Sequence, residues 1–307
     1  MTPLPASTQL ASSALAAASL PEAYGACLSL CRSHYENFPV ASRMIPAEQR
    51  GPIAAVYAFA RVADDFADEP GWTPPERLSL LDDWRRRLRA CGSSHNRHPV
   101  FWAVADAVER FRLPLDPFER LITAFERDVT KNRHENFDEV LDYCRYSANP
   151  VGELVLRVFG FWNEERGKWS DAVCTGLQLA NFWQDVTVDA AKDRIYVPRE
   201  DMKAHGLAEE QILRGPVIEP LRRLIAFQVE RTWTFFRAGV PLCDDVPNPL
   251  RRELRLVWLG GTRILEKIGA QDGDVWGQRP TLGKTDLPRL MQRLFFWNPA
   301  AVLPRGS

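Results

Sequence analysis

Four aspartates in two separate stretches sit where ordinary surface charge does not. In the run NFWQDVTVD, Asp185 and Asp189 lie four residues apart among Phe182, Trp183, Val186 and Val188. In AAVYAFARVADDFADE, Asp64 and Asp68 repeat that spacing, with Asp65 beside them and Tyr57 and Arg61 upstream. Residues four apart share a helix face. At 100° per residue, Tyr57, Arg61, Asp64, Asp65 and Asp68 fall within an arc of roughly 100°. Gln178, Asn181, Asp185 and Asp189, at spacings of three, four and four, fall within roughly 80°. Every other position from 54 to 67 is apolar. Each helix is therefore expected to be buried over most of its circumference, with one polar stripe left open. A solvated face is the ordinary explanation of clustered charge. Two stripes of one design, each with carboxylates at i and i+4, favour a site instead.

Carboxylates facing one another across a cavity would repel unless cations bridge them. Oxygen ligands with open positions suit Mg²⁺, which keeps several waters and takes substrate phosphates to complete its octahedron. Arg61, with Arg194 and Tyr196 just beyond the second stripe, could donate to such a phosphate. The apolar wall around the stripes suggests that the rest of the substrate is greasy. Other metal or phosphate designs fail: there is no G-x-x-x-x-G-K-[ST] loop, no G-x-G-x-x-G, no G-x-S-x-G and no H-E-x-x-H. The stretch QDGDVWGQRP (271–280) looks like a calcium loop but lacks the acidic spacing and terminal Glu. Cys27 and Cys31 lie one helical turn apart with no second pair to complete a zinc site. His95 and His98 have no carboxylate partner nearby in sequence and are read as ordinary.

Long segments of helical periodicity must position these residues. Prolines separate candidate helices at about 20–35, 47–70, 75–91, 98–111, 117–130, 137–160, 167–190, 199–204, 208–213, 217–238, 249–269 and 286–296. Few strand patterns, no repeat and no linker appear, so the fold class is all-α with one domain over 21–299. Residues 1–20 read as a disordered tail. Residues 300–307 read as a second tail whose PRGS ending resembles the remnant of an expression tag. The helix end LPRLMQRLFFW could pack on the core or touch a bilayer, and core packing is the commoner outcome.

The 307 residues carry 39 basic and 40 acidic side chains, a net charge of −1 that gives no reason to expect a nucleic-acid partner. The first twenty residues contain no Lys or Arg, so a secretory signal is not expected. Six cysteines without such a signal read as reduced thiols. A cytoplasmic location follows as an expectation, with peripheral contact at the inner face of a membrane left open.

The stretches YAFARVADDFADE, YCRYSANPVGELVLRVFG (143–160) and LQLANFWQDVTVDAAKDRIYVP resemble the squalene/phytoene synthase family, in order and over roughly residues 22–297. HYENFPVASRMIP (34–46) and WLGGTRILEKI (258–268) resemble its hydroxysqualene synthase subgroup from bacterial hopanoid pathways. The resemblance implies an all-α isoprenoid-synthase fold with a central cavity, and Mg²⁺-assisted ionisation of a prenyl diphosphate. It implies metal-binding roles for Asp64, Asp65, Asp68, Asp185 and Asp189. Arg61 matches a diphosphate-contacting arginine, and Gln178 and Asn181 match the polar positions before the second pair. Arg194 and Tyr196 fall in the family's R-x-Y-x-P continuation. Tyr57 and Tyr143 match aromatic hydroxyls near the reacting carbons, and with Asn37 they are candidates to place water. Asn37 and Phe38 stand in an N-terminal loop where many relatives carry a Ser-Phe pair. Gln184 stands where many carry Arg, and Asp193, often Gly in relatives, is assigned no role.

For the subgroup, the implied reaction converts presqualene diphosphate and water to hydroxysqualene and diphosphate, with no NADPH. That is a carbon-oxygen lyase, working beside neighbouring hopanoid-pathway enzymes. The rivals are a head-to-head prenyltransferase making presqualene diphosphate, dehydrosqualene or phytoene, and a non-catalytic lipid-binding or assembly protein of the same fold.

Overall fold

The computed structural model describes residues 15–33, 45–92, 97–214 and 217–304. Asn37, Phe38, His95, most of the expected N-terminal tail and residues 305–307 lie outside the described residues. Among the described residues there is no strand, only an isolated parallel bridge between Arg133 and Ile195. The helices are α1 (Leu20–Ser33), α2 (Ala47–Asp68), α3 (Pro74–Arg89), α4 (Pro99–Phe111), α5 (Asp116–Thr130), α6 (Phe137–Ser147), α7 (Asn149–Val158), α8 (Glu164–Gln184), α9 (Val186–Ala190), α10 (Arg199–Ala204), α11 (Glu209–Arg214), α12 (Glu219–Gly239), α13 (Leu242–Asp245), α14 (Leu250–Ala270) and α15 (Leu287–Phe295). The chain packs as two compact units, Met1–Thr130 with Pro150–Asn163, and Lys131–Asn149 with Glu164–Ser307.

In the first unit α2 is the central helix, touched by α1, α3, α4 and α5. Its sequence accounts for this. Ala54, Ala55, Ala58, Ala63 and Ala67 are buried and let neighbours approach, while Phe59 supplies bulk. The Phe59 ring meets Phe118 edge-on at 5.1 Å and Phe101 at 6.2 Å, geometries that aromatic quadrupoles favour. Trp84 of α3 adds an indole hydrogen bond to the Phe59 carbonyl at 3.3 Å. His98 is a core histidine, packed 5.5 Å from Trp84 and 5.2 Å from Phe101.

In the second unit α8 is central, against α6, α12 and α14. Trp183 donates to Thr232 Oγ1 at 2.8 Å and Trp258 to the Phe236 carbonyl at 2.9 Å, so both buried indoles are satisfied. Phe236 lies between two glycines of neighbouring helices. A Cβ on Gly176 would meet its ring at 3.3 Å, and one on Gly261 would meet it at 2.6 Å and Leu177 at the same distance. The three helices approach this closely because those positions lack side chains.

Three expectations change. The segment 137–160 is two helices, broken at Ala148, since Pro150 lacks the N–H that would bond the Tyr146 carbonyl. The segment 167–190 breaks at Asp185, whose φ of −105° and ψ of 15° leave the helical region. The bonds from Asp185 N to the Asn181 carbonyl and from Asp189 N to the Asp185 carbonyl persist at 2.9 Å, so register carries across the break. The helix end at 287–297 packs on the core only in part. Leu290 is buried, but Leu287, Met291, Phe295 and Phe296 are exposed. None of the six cysteines forms a disulfide, and no described helix is long and apolar enough to cross a membrane.

Gly261→Ala is expected to destabilise the protein by about 1–3 kcal/mol, because Leu177 and Phe236 must shift to admit the methyl. The check is the urea midpoint of unfolding, which should fall at unchanged slope.

Candidate functional site

The α2 stripe is present in the first unit. Tyr57, Arg61, Asp64 and Asp68 are half-buried along one face of α2, while Asp65 is only 4% exposed. Asp65 therefore turns inward and pairs with the Arg61 guanidinium at 2.8 Å, while Asp64 lies 3.6 Å from the same group. That pairing fixes Arg61 on the stripe. Desolvation, then the neighbouring Asp68 carboxylate, pushes the Asp64 carboxyl up to about 7, with Asp128 and Asp65 adding to the rise and Arg61 opposing it. Asp128 on α5 was invisible to spacing arguments, because it comes from another helix.

The second unit holds the other stripe. Gln178, Asn181, Asp185 and Asp189 are all half-buried at the end of α8 and in α9. Asn181 Nδ2 donates to Asp185 Oδ2 at 2.8 Å, and Arg279 Nε pairs with Asp185 Oδ1. Beside them the fully buried Gln184 donates to the Pro280 carbonyl at 2.6 Å. At this position, where many relatives are expected to carry Arg, the side chain instead ties down the segment that delivers Arg279. No sequence signal marked Arg279. It lies 94 positions from Asp185, inside the stretch 271–280 that looks like a calcium loop. The acids of that loop are otherwise engaged: Arg222 reaches Asp272 at 3.4 Å and Asp274 at 3.2 Å.

Arg194 and Tyr196 follow a turn whose apex, Asp193, has a φ of 56°. Glycine adopts this left-handed conformation without strain, and an aspartate there needs support. Here the aspartate is held by Asn132 at 3.0 Å and Arg133 at 2.7 Å, and Ile195 N bonds the Asn132 carbonyl. The hydrogen bond from Arg133 holds the Asp193 carboxyl below the usual range. Asp193 thus has a role after all, in shaping the turn that carries Arg194 and Tyr196. Tyr196 stacks on Phe182 at 3.7 Å and 12°, and on His134 at 5.6 Å and 23°. Tyr143 closes the cluster, 5.6 Å from Tyr196 and 5.8 Å from Phe182. His134, which sequence reasoning missed, is 4% exposed. Burial, then the Lys131 charge, pulls its imidazole down to about 4, so it is neutral near pH 7.

Among the described residues no three His, Cys, Asp or Glu side chains converge tightly enough to enclose a metal ion alone. Carboxylate pairs of this kind fit Mg²⁺, which leaves most of its coordination to water and phosphate oxygens. The raised Asp64 carboxyl fits the same reading, since a cation would offset both the desolvation and the Asp68 repulsion that raise it.

Two measurements follow. For Asp64, the folded state holds a proton that the unfolded chain releases near pH 4, so stability falls as pH rises from there to about 7. In metal-free protein, Asp64→Asn should raise Tm at pH 8 and leave it nearly unchanged at pH 4. For His134 the sign reverses: the unfolded chain binds the proton first, so stability is lost as pH falls from about 6.5 to 4. His134→Phe, which keeps the stack and cannot titrate, should flatten that limb by on the order of 3 kcal/mol.

The family model of squalene/phytoene synthase matches residues 31–286. The hydroxysqualene synthase of Sinorhizobium fredii is 42% identical over 241 residues, covering 77% of this chain and 80% of that protein. Phytoene synthase 1, chloroplastic, of Zea mays is 29% identical over 273 residues, covering 86% of this chain and 66% of that protein. The crystal structure of squalene synthase HpnC from Alicyclobacillus acidocaldarius matches with a TM-score of 0.77 at 41% identity, covering 82% of this chain and 95% of that one. The helical architecture is the isoprenoid-synthase fold, and the chain belongs to the squalene/phytoene synthase family.

Proposed function

We propose that the protein is a hydroxysqualene synthase, converting presqualene diphosphate and water to hydroxysqualene and diphosphate. The observation that carries this reading is the 42% identity to a hydroxysqualene synthase, in a chain that retains both aspartate stripes. Asp64 and Asp68 from one stripe and Asp185 and Asp189 from the other would hold Mg²⁺, with Asp65 contributing through Arg61. When bound, the metal supplies Lewis-acid neutralisation of the charge that builds on departing diphosphate.

The chain's own residues do the rest. Arg61, anchored by Asp65 at 2.8 Å, presents a fixed guanidinium to diphosphate oxygens. Asn181 orients Asp185 through its 2.8 Å bond, and Arg194 and Gln178 add polar contacts. Tyr57, Tyr143 and Tyr196 combine aromatic faces with hydroxyl groups. The stacked Phe182, Tyr196 and His134 rings offer π-density to a cationic carbon, and a neutral His134 adds no positive charge against it. Water captures the rearranged cation, so no NADPH is needed. Asn37 and Phe38 remain part of this proposal as substrate contacts. The protein would act in the cytoplasm or peripherally at the inner face of the membrane, beside neighbouring hopanoid-pathway enzymes.

The second reading is a head-to-head prenyltransferase, favoured by the similarity to phytoene synthases. Incubation with presqualene, farnesyl or geranylgeranyl diphosphate, with and without Mg²⁺ and NADPH, separates the two. The expected product is hydroxysqualene from presqualene diphosphate, dependent on Mg²⁺ and indifferent to NADPH. Asp64→Ala and Asp185→Ala should each lower kcat by on the order of 10²–10³, the scale of losing a group that stabilises transition-state charge. Consumption of farnesyl or geranylgeranyl diphosphate with no turnover of presqualene diphosphate would overturn the proposal.

A further inference from the structure

The sequence left open whether the apolar end of the chain packs on the core or meets something else. The structure divides it. Leu290 is buried, whereas Leu287 and Met291 are each 55% exposed, Phe295 82% and Phe296 69%. Leu287, Met291 and Phe295 recur every four residues, an arc of about 80° on α15. Phe296 extends the patch, its ring 5.0 Å from that of Phe295. These four are close neighbours in sequence, and exposed apolar residues gathered in this way mark an interaction surface.

The frame holding the patch is firm. Asp286, just before α15, accepts from Arg263 at 2.8 Å and Lys267 at 2.6 Å, both on α14. Glu266, also on α14, pairs with Arg293 at 2.7 Å and Arg289 at 3.3 Å. Beyond the helix, Trp297 packs 5.4 Å from Trp258, with the Arg255 guanidinium over its ring. The apolar side chains are thus held in water by a helix anchored at its start, middle and end.

Charge identifies the occupant. Around α15, Lys284, Arg289 and Arg293 together with Arg263 and Lys267 of α14 set five basic side chains against two acidic ones, Glu266 and Asp286, so the margin stays basic after its ion pairs are made. Lys284 is exposed just ahead of the helix, and Arg289 keeps half its side chain in solvent. An apolar stripe with a basic margin matches the acyl boundary and anionic headgroups of a bilayer. A second copy fits less well, because an isologous contact would set these basic margins against each other. We infer that α15 with Phe296 is the surface by which the protein docks on an anionic lipid bilayer. The inference leans on the proposed function in one respect: a long-chain prenyl substrate gives the enzyme a reason to sit there. Vesicle binding needs no turnover, so the two readings fail separately.

The test is flotation with vesicles of phosphatidylcholine alone and of phosphatidylcholine with 30% phosphatidylglycerol, beside sedimentation analysis of oligomeric state. The expected result is binding that is stronger to the anionic vesicles and weakened on the order of tenfold per ring lost in F295S/F296S. L287S/M291S should act in the same direction, with Tm unchanged in both variants and the preference for anionic vesicles reduced in Lys284→Glu. Failure of the wild-type protein to bind either vesicle overturns the inference. So does equal binding by both double variants, or a wild-type dimer that F295S/F296S converts to monomer with no vesicle binding in either form.

Discussion

Carboxylates that must sit close together on a helix with little water around it are the constraint on which this protein turns. The two stripes meet it differently. In the first unit, α2 is wrapped by four helices, and its open face carries Asp64 and Asp68 with Asp128 nearby. Arg61 is shared between Asp64 and the buried Asp65, and it does not offset the desolvation and Asp68 repulsion that push Asp64 up to about 7. In the second unit, Asp185 is met by Arg279 on one oxygen and Asn181 on the other. In the first stripe burial and a neighbouring carboxylate raise Asp64, whereas in the second Asp185 already has an arginine partner. On the proposed reading, a cation at the first would offset Asp68 repulsion, whereas at Asp185 it would compete with Arg279.

Much of this was legible in the sequence because helical spacing is local information. The i, i+4 aspartates, their apolar surroundings and the order of helices all follow from residues within a turn or two of each other. What the sequence concealed depends on chain segments meeting from far apart. Arg279 reaches Asp185 across 94 positions, and Asp128 reaches Asp64 from a different helix. His134 gave no signal, since its place in the aromatic stack is set by the turn at Asp193. The breaks at Ala148 and Asp185 were obscured for another reason. Periodicity runs through both, and in the second case the i to i−4 hydrogen bonds do too.

The second unit also shows how a side chain on a loop can be placed with helix-like precision. Tyr196 lies in a segment with no helix of its own, yet it is gripped by Phe182 and His134 and fed by a turn that Asn132 and Arg133 hold shut. Behind it, α8, α12 and α14 close on one another through Gly176 and Gly261. Rings and backbone approach to contact distance, leaving little slack for the end of α8 to drift. A group whose rotamer is fixed by packing spends no freedom when substrate arrives.

The cysteines give the molecule a practical property. Cys27, Cys31, Cys91, Cys144 and Cys243 are buried, and burial raises the thiols of Cys27, Cys91, Cys144 and Cys243 above their ordinary range. Thiol reagents act on the thiolate, so these sulfurs are poor targets in the folded state. Cys174 alone is partly accessible. With that one position replaced, a fluorophore or spin label directed at an introduced thiol, such as Met291→Cys on the exposed face of α15, would report from one known place. The native chain is close to a ready-made background for spectroscopy.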